Sequence, residues 1–307
     1  GRRVGIYMKR FVSDICNNGL KGHSNYDFAD VAVNRDNLLF IDPVLIETKN
    51  NKWCKEAKKY ITSFFDELYK AYKENNKNRK EELLLHAREQ NATHLGYGSG
   101  NNGKGNTAKG LLDLFKPLEK LITKIPTIKN EVDLVVLLPG FAEDGLSDLL
   151  TNILHKHLND YTLGQMKKYG MKSVKMKKFW SWNPKKTCWE ELEEPVCCVD
   201  GKELLLVPKC ILRKNYLFGT GQYFSRIIIE RIREEGGYMI DGKPIPKKEI
   251  IKSKRHSGKN WQYKEVTSYT HKNNNALDEY HKKLPKFYSR KNSRLNDSDL
   301  DALIYME

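Results

Sequence analysis

The sequence of 307 residues lacks the patterns that hold zinc or activate a nucleophile. Its six cysteines form no C-x-x-C pair, and its eight histidines form no H-x-x-H or H-E-x-x-H spacing, which argues against the common zinc sites. No G-x-S-x-G motif marks a nucleophilic serine. We therefore predict reduced cysteines that serve only packing, as is usual in a cytoplasm. They are Cys16, Cys54, Cys188, Cys197, Cys198 and Cys210.

Long apolar segments are also missing. The longest uninterrupted apolar run, residues 134–138, is far shorter than the roughly 18–20 residues that a membrane helix needs. The start of the sequence is basic but has no apolar segment of the roughly 7–15 residues typical of a secretory signal. These absences predict a cytoplasmic protein without a membrane partner.

Positive charge is what the sequence has in excess. Its 54 lysines and arginines against 39 acids give a net charge of +15, which favours DNA or another nucleic acid as a partner. The densest segment, 247–264, has seven lysines and arginines and one acid, with two aromatic residues among them. The alternative explanation of the positive charge is an AT-rich genome, whose codons favour lysine and asparagine. We expect the basic portion 240–295 to face nucleic acid, and the predicted contact residues are Lys252, Lys254, Arg255, Lys259, Trp261, Lys209 and Arg213.

Apolar periodicity predicts helices mixed with strands. Residues 53–75 have apolar side chains at three- and four-residue steps, the spacing of an amphipathic helix. Further helices are predicted at 80–89, 111–124, 146–158, 224–235 and 274–283, and strands at 44–49, 133–138, 203–207 and 211–212. The tryptophan-rich region 180–189 is predicted to be irregular. Together these elements indicate an α/β or α+β fold, a mixed sheet flanked by helices, in a single domain over residues 1–307.

One acidic motif carries a candidate chemistry. Glu47 and Lys49 end the predicted strand 44–49, Asp42 precedes it, and Asp30 lies further upstream. Carboxylates bind Mg²⁺ or Mn²⁺ through hard oxygen ligands, and a nearby ammonium can position an attacking water. This spacing resembles the PD-(D/E)XK nucleases, although the next predicted strand comes unusually late, at residue 133. The nuclease hypothesis implies that Asp30 or Asp42 binds metal together with Glu47 and that Lys49 positions the attacking water. Asp42, Glu47 and Lys49 are thus the predicted catalytic residues. The alternative is a core strand that ends in an exposed Glu/Lys pair.

A second acidic cluster follows the predicted strand 133–138. Glu143, Asp144 and Asp148 come where ligand sites form in open α/β sheets, and we predict them as further metal ligands, with Asp148 also catalytic. Asp148, Asn152 and His155 are spaced to share one helix face. The alternative is an ordinary helix start, capped by a serine and with acids that complement the helix dipole.

The only glycine-rich segment, 96–110, is a candidate phosphate-binding loop. Gly98, Gly103 and Lys104 match the G-x-x-x-x-G-K spacing, with Gly100 between them, but glycine follows where a P-loop needs serine or threonine. The loop still offers backbone N–H groups beside lysines, which suits a phosphate. The alternative is a mobile surface loop.

The segments LLFIDPVLIE, GYGSGNNGKGNT, PGFAEDGLSDLLTNIL and KELLLVPK resemble an uncharacterised bacterial family found in defence-type gene neighbourhoods, over residues 25–215. The resemblance implies a role against phage or plasmid DNA, with a partner protein from the same operon. Three hypotheses follow: a metal-dependent nuclease acting on DNA, a non-catalytic DNA-binding or sensor subunit, and a nucleotide-handling enzyme.

Overall fold

A computed structural model of the chain describes residues 8–16, 19–88, 90–97, 107–290 and 295–306. Gly98, Gly100, Gly103 and Lys104, the predicted phosphate-binding loop, lie outside the described residues. Helices and small open sheets make up a mixed α/β fold, which confirms the predicted fold class. The apolar core runs from Val12 to Ile304 and draws on most of the helices.

Helices supply most of the regular structure. The α-helices are α1 (Pro43–Thr48), α2 (Lys52–Lys73), α3 (Lys77–Leu85), α4 (Ala108–Leu114), α5 (Leu118–Lys124), α6 (Glu131–Leu137), α7 (Glu143–Ile153), α8 (His155–Tyr169), α9 (Thr220–Tyr223), α10 (Ile229–Glu234), α11 (Lys247–Lys254), α12 (Trp261–Lys272), α13 (Asn275–Tyr288) and α14 (Asp297–Tyr305). A π-helical turn, Phe224–Ile228, joins α9 to α10, and 3-10 turns lie at Val12–Ile15, His23–Asn25, Lys209–Ile211 and Arg255–Ser257.

The strands form three small antiparallel groups. They are β1 (Phe40–Ile41), β2 (Val174–Asn183), β3 (Cys188–Val199), β4 (Lys202–Leu204), β5 (Leu212–Arg213), β6 (Met239–Ile240) and β7 (Lys243–Pro244). The long hairpin β2–β3 is extended by β4 in the order β2-β3-β4, while β1 pairs with β5 and β6 with β7.

Helix α2 confirms the amphipathic prediction for residues 53–75. Asn51 caps it, because its side chain accepts a hydrogen bond from the backbone N–H of Cys54 at 2.8 Å. Its buried face includes Phe64, Phe65 and Leu68, each at most 1% exposed. The ring of Phe64 packs edge-on against tryptophans of the β2–β3 hairpin, so this helix holds the sheet against the helical core.

The hairpin β2–β3 shows that the prediction of an irregular region at 180–189 is wrong. Trp182 lies opposite Trp189 in the register, and both are buried against α2 and α3. Lysines and glutamates occupy much of the rest of the two strands. Two strands that are individually rich in charge carry a weak β signal, and the cross-strand tryptophan pair that stabilises them exists only after pairing.

Two predicted strands are helices. Residues 133–138 fall largely in α6, whose seven residues are all buried; a short aliphatic run fits a buried helix as well as a buried strand. Residues 44–49 fall in α1, where Asp42 is the N-cap and Pro43 the first helical residue. Aspartate followed by proline is a helix-start signal, and it outweighs the β propensity of the apolar residues behind it.

The predicted helix 111–124 is divided, since α4 ends before Pro117 and α5 begins after it. Among the described residues, none of the helices combines the length and the apolar composition needed to cross a membrane.

Candidate functional site

Asp42 and Asp30, predicted to bind metal, are both buried in the protein and hydrogen-bonded to it. Asp42 accepts from the Val44 N–H at 2.9 Å and from the Tyr288 hydroxyl at 2.6 Å. Burial raises the pKa of Asp42 to about 7 despite these bonds. Asp30 accepts from the Ser13 N–H at 2.7 Å and from the hydroxyl of Tyr305 at 2.6 Å. Both carboxylates therefore connect distant parts of the chain.

Glu47 lies elsewhere, because α1 is a helix. Its side chain is half exposed and forms an ion pair with Lys58 on α2 at 2.7 Å. Lys49 is the C-cap of α1 and is partly exposed. Thus the predicted position of the Glu-x-Lys pair at the end of a strand is wrong, and the nuclease resemblance stays a prediction.

Glu47 lines a small pocket with two acids that the sequence did not single out, Asp66 and Glu131. The pocket has a volume of about 70 Å³, and Lys58 and Lys129 also line it. Burial, with smaller contributions from the charges of Glu47 and another acid, raises the pKa of Glu131 to about 7. The pocket therefore contains a carboxyl that is partly protonated at neutral pH.

The pH dependence of stability tests this environment. The carboxyl of Glu131 has a pKa of about 7 when folded, against an ordinary value of 4.5. Its proton is therefore bound more tightly in the folded state, and stability falls as pH rises from 4.5 through 7. We expect Glu131→Gln to gain about 1–1.5 kcal/mol of stability relative to the wild type between pH 6 and pH 8.

Urea unfolding at pH 6 and pH 8 measures this gain. The exposed Glu193, which has no ion pair among the described residues, provides the matched control Glu193→Gln. A difference between Glu131→Gln and wild type that stays constant with pH would show that the carboxyl is already ionised at pH 6.

The second predicted cluster, Glu143, Asp144 and Asp148, lies on α7. Glu143 and Asp144 occupy its first turn, where acids complement the helix dipole. Asp144 accepts from the Tyr97 N–H at 3.3 Å, and burial raises its pKa. Asn152, predicted to share a face with Asp148, donates to the backbone carbonyl oxygen of Arg88. The acids in the first turn agree with the helix-start interpretation, but the predicted serine cap is wrong. Ala142 is the N-cap, and Ser147 lies inside α7, where its hydroxyl accepts from the Ile41 N–H at 3.0 Å.

The two acidic clusters do not form a shared metal site in the part of the chain that the structure describes. There, no three side chains of His, Cys, Asp or Glu are grouped so that they could hold one metal ion. The assignment of Mg²⁺ or Mn²⁺ to Asp30, Asp42, Glu47, Glu143, Asp144 and Asp148 stays a prediction.

His155 instead forms a buried polar cluster with Glu203, which sequence reasoning missed. The His155 Nε2 lies 2.8 Å from the Glu203 Oε2, and Lys177 Nζ lies 2.9 Å from the other carboxylate oxygen. The His155 ring stacks on Phe179 at 4.1 Å. Burial opposes ionisation of Glu203, but its bonds to His155 and Lys177 lower its pKa below the ordinary value. Glu203 is therefore a carboxylate at neutral pH.

Glu203 lines a cavity of about 740 Å³ beside β4. The charged residues of its lining are Arg35, Asp36, Lys177, Asp200, Lys202 and Glu203. Three are cationic and three are acidic, so the lining does not favour a polyanion by net charge. This cavity is therefore a polar groove, and the excess positive charge of the protein does not lie in its lining.

The excess charge is exposed on α11. Lys248 and Lys252 of α11 are exposed, and so is Arg255, its C-cap, whose backbone continues in the right-handed helical region. At roughly 100° per residue the three lie within about 60° of one another around the helix axis. The buried Ile250 is on the opposite side and anchors the helix. We call these three cations the basic stripe. None of them has an ion pair with an acid in the described ranges, and the same holds for the exposed Lys259 and Lys264 that follow.

Other predicted contact residues are already engaged. Lys254 pairs with Glu265 at 2.9 Å, and Lys247 on the same side of α11 pairs with Glu230. Trp261 is partly buried and packs edge-on against Phe224.

Lys209 and Arg213 are also held by the protein. Lys209 donates to the carbonyl oxygen of His23 at 2.6 Å and pairs with Asp297 at 2.8 Å. Arg213 donates through Nε to the carbonyl oxygen of Asn215 at 2.9 Å. The structure thus separates cations that are bonded within the fold from cations without an ion pair to a described acid. This distinction depends on acids distant in sequence.

Residues 19–218 match a family model described as a domain of unknown function, DUF8370. Since the match covers well over half of the 307 residues, the chain belongs to this family. No curated protein and no solved structure matches the chain. The matched residues include the buried His155–Glu203 cluster and every predicted metal ligand, whereas the basic stripe lies outside them.

Proposed function

We propose that this protein binds nucleic acid through the sugar-phosphate backbone. The observation that carries the proposal is the basic stripe, three exposed cations along one side of α11 and its C-cap, none of which forms an ion pair with a described acid. Lys259 and Lys264 extend the same exposed positive charge. Each exposed cation can neutralise one phosphate, and the attraction of such cations to a polyanion is the main source of non-specific affinity.

The proposed contacts position the protein on the backbone and do not read sequence. Lysine and arginine bound to phosphates carry no base information. Stacking on bases needs an exposed aromatic ring, and Trp261 is partly buried against Phe224. We therefore propose duplex DNA as the preferred partner, with similar affinity for unrelated sequences.

Metal-dependent cleavage of that DNA, and a role in defence, stay predictions beyond this proposal. The acids assigned to cleavage lie apart: Asp30 and Asp42 are buried, Glu47 is on α1, and the remaining three are on α7. Their positions therefore give no geometric support to cleavage. A binding or sensor subunit needs only the basic stripe.

Fluorescence anisotropy with a labelled 20-base-pair duplex tests the proposal. At about 50 mM salt we expect a dissociation constant that is micromolar or tighter for two unrelated sequences. Glu47→Ala, which removes an exposed acid of the predicted catalytic motif, should leave that affinity unchanged within about twofold. Adding Mg²⁺ to the same samples and resolving them on a gel reports cleavage. Absence of binding to either duplex would refute the proposed function.

A further inference from the structure

Strand β2 is an edge of the β2-β3-β4 sheet. In the described ranges, only β3 pairs with it. Near its end, Ser181 bonds to the start of α8 and Trp182 bonds to α2. Segment 174–180 has no pairing partner on its outer side among the residues that the structure describes. In an antiparallel strand, alternate residues direct both N–H and C=O away from the neighbour. The outer side of 174–180 is therefore a row of free main-chain hydrogen-bonding groups.

Apolar side chains alternate along this segment. Val174, Met176 and Trp180 are 49%, 60% and 39% exposed and lie on the same face of β2, with Lys178 between the last two. His86 stacks on Trp180 at 3.9 Å and holds its ring in place. Isolated exposed apolar residues are ordinary on protein surfaces, but here three of the four residues on one face of an edge strand are apolar, and the fourth is Lys178.

The positive charge of segment 174–180 favours an acidic binding partner. β2 carries Lys175, Lys177 and Lys178, and the neighbouring strand places Glu194 opposite Lys177 and Glu193 opposite Lys178. Lys177 is bound to Glu203 on the other face, whereas Lys178 is exposed and forms no ion pair within the described ranges. On its inner edge β2 thus already pairs with a strand rich in glutamate. A strand added at its outer edge would lie beside the same lysines.

A second copy of this chain fits the edge poorly. Antiparallel pairing of β2 with itself, centred on any residue from 175 to 178, places lysine opposite lysine, which is destabilising. Nucleic acid fits poorly as well, because the exposed Glu191 and Glu193 share the outer face with Lys178. A peptide strand added beside β2 would have Lys178 as its direct neighbour. It would be about 4.8 Å, one strand spacing, further from Glu191 and Glu193 than β2 is.

We propose that residues 174–180 bind an extended, acidic segment of a partner protein as a fourth strand of the sheet. Main-chain hydrogen bonds to the outer edge of β2 supply affinity, and side chains set specificity. An acid of the partner lies opposite Lys178, and apolar side chains lie against Met176 and Trp180.

Synthetic peptides test this directly. The probe is the end-blocked peptide Ser-Val-Ser-Glu-Ser-Val-Ser-Ser, which in a strand places one glutamate between two valines on the same face. One analogue replaces the glutamate by lysine, and another methylates every backbone nitrogen. By fluorescence anisotropy we expect both analogues to bind the full chain at least tenfold more weakly than the probe. Hydrogen exchange with the probe bound should protect amides within 174–180.

Two charge reversals in the same hairpin provide the matched comparison. Lys178→Glu should weaken binding of the valine–glutamate peptide at least tenfold. Lys186→Glu, at an exposed position of the β2–β3 turn, should change it less than twofold. Unchanged affinity in Lys178→Glu, or equal binding of the glutamate and lysine peptides, would overturn the proposal. Protection of the amides of 174–180 by duplex DNA would also overturn it, since it assigns the edge to nucleic acid. So would protection of these amides without peptide that disappears when the protein is diluted, since it assigns the edge to a second copy.

Discussion

Replacing the basic stripe by glutamine, in the triple variant Lys248→Gln, Lys252→Gln and Arg255→Gln, is expected to weaken duplex DNA binding by two to three orders of magnitude at about 0.1 M salt. Each phosphate contact contributes a slope of roughly −0.9 in log K against log salt, so three lost contacts remove about 2.7 units. Between a 1 M reference and 0.1 M salt this corresponds to a roughly 500-fold loss. Because the contacts are to phosphates, all sequences should be affected alike.

The control is a triple glutamine variant on α2, which has the same change in charge. Lys52, Lys55 and Lys70 are exposed there and have no ion pair with a described acid. Their replacement should change affinity by less than about fivefold, through net charge alone. Equal losses in the two variants would show that binding follows the total charge of +15 and not the stripe.

Glu203→Ala is expected to have the largest effect on stability, about 3–5 kcal/mol at pH 7. The carboxylate is 2% exposed and bonded to both His155 and Lys177, and removing one member of a buried polar pair leaves the other without its partner. Urea unfolding at constant protein concentration measures the loss. Glu193→Ala, at an exposed position on β3, should cost less than about 0.5 kcal/mol and is the control.

The effect of Glu203→Ala should also depend on pH. The pKa of Glu203 is lowered in the folded state, so its ionised form stabilises the fold above its ordinary pKa of 4.5. That stabilisation is lost as pH falls through the folded-state pKa. The difference between wild type and Glu203→Ala should therefore shrink in acid. A loss of stability below about 1 kcal/mol at pH 7 would contradict the geometry of the cluster.

The sequence predicted the elements whose signal is local. Helix α2 follows from an apolar face repeated over five turns, and no tertiary contact is needed to recognise it. The helix α6 was missed because its residues are buried on all sides, so no periodicity distinguishes it from a strand. For α1, Asp42 and Pro43 gave a correct start signal that the β-branched and aliphatic residues after it obscured.

The candidate sites were less predictable, because they depend on pairs distant in the chain. His155 and Glu203 are 48 residues apart, and nothing local marks either as the other's partner. Composition predicted a basic surface in the C-terminal third, but not which cations are free. Lys254 differs from the exposed Lys252 because it is partly buried and Glu265 reaches it from α12.

The salt dependence of duplex DNA binding by the unmodified protein tests the central claim most directly. With five exposed cations available for phosphates, the slope of log K against log salt is predicted to be about −4 to −5 between 50 and 200 mM salt. A slope shallower than about −2, with affinity that differs between unrelated sequences, would contradict binding through the basic stripe.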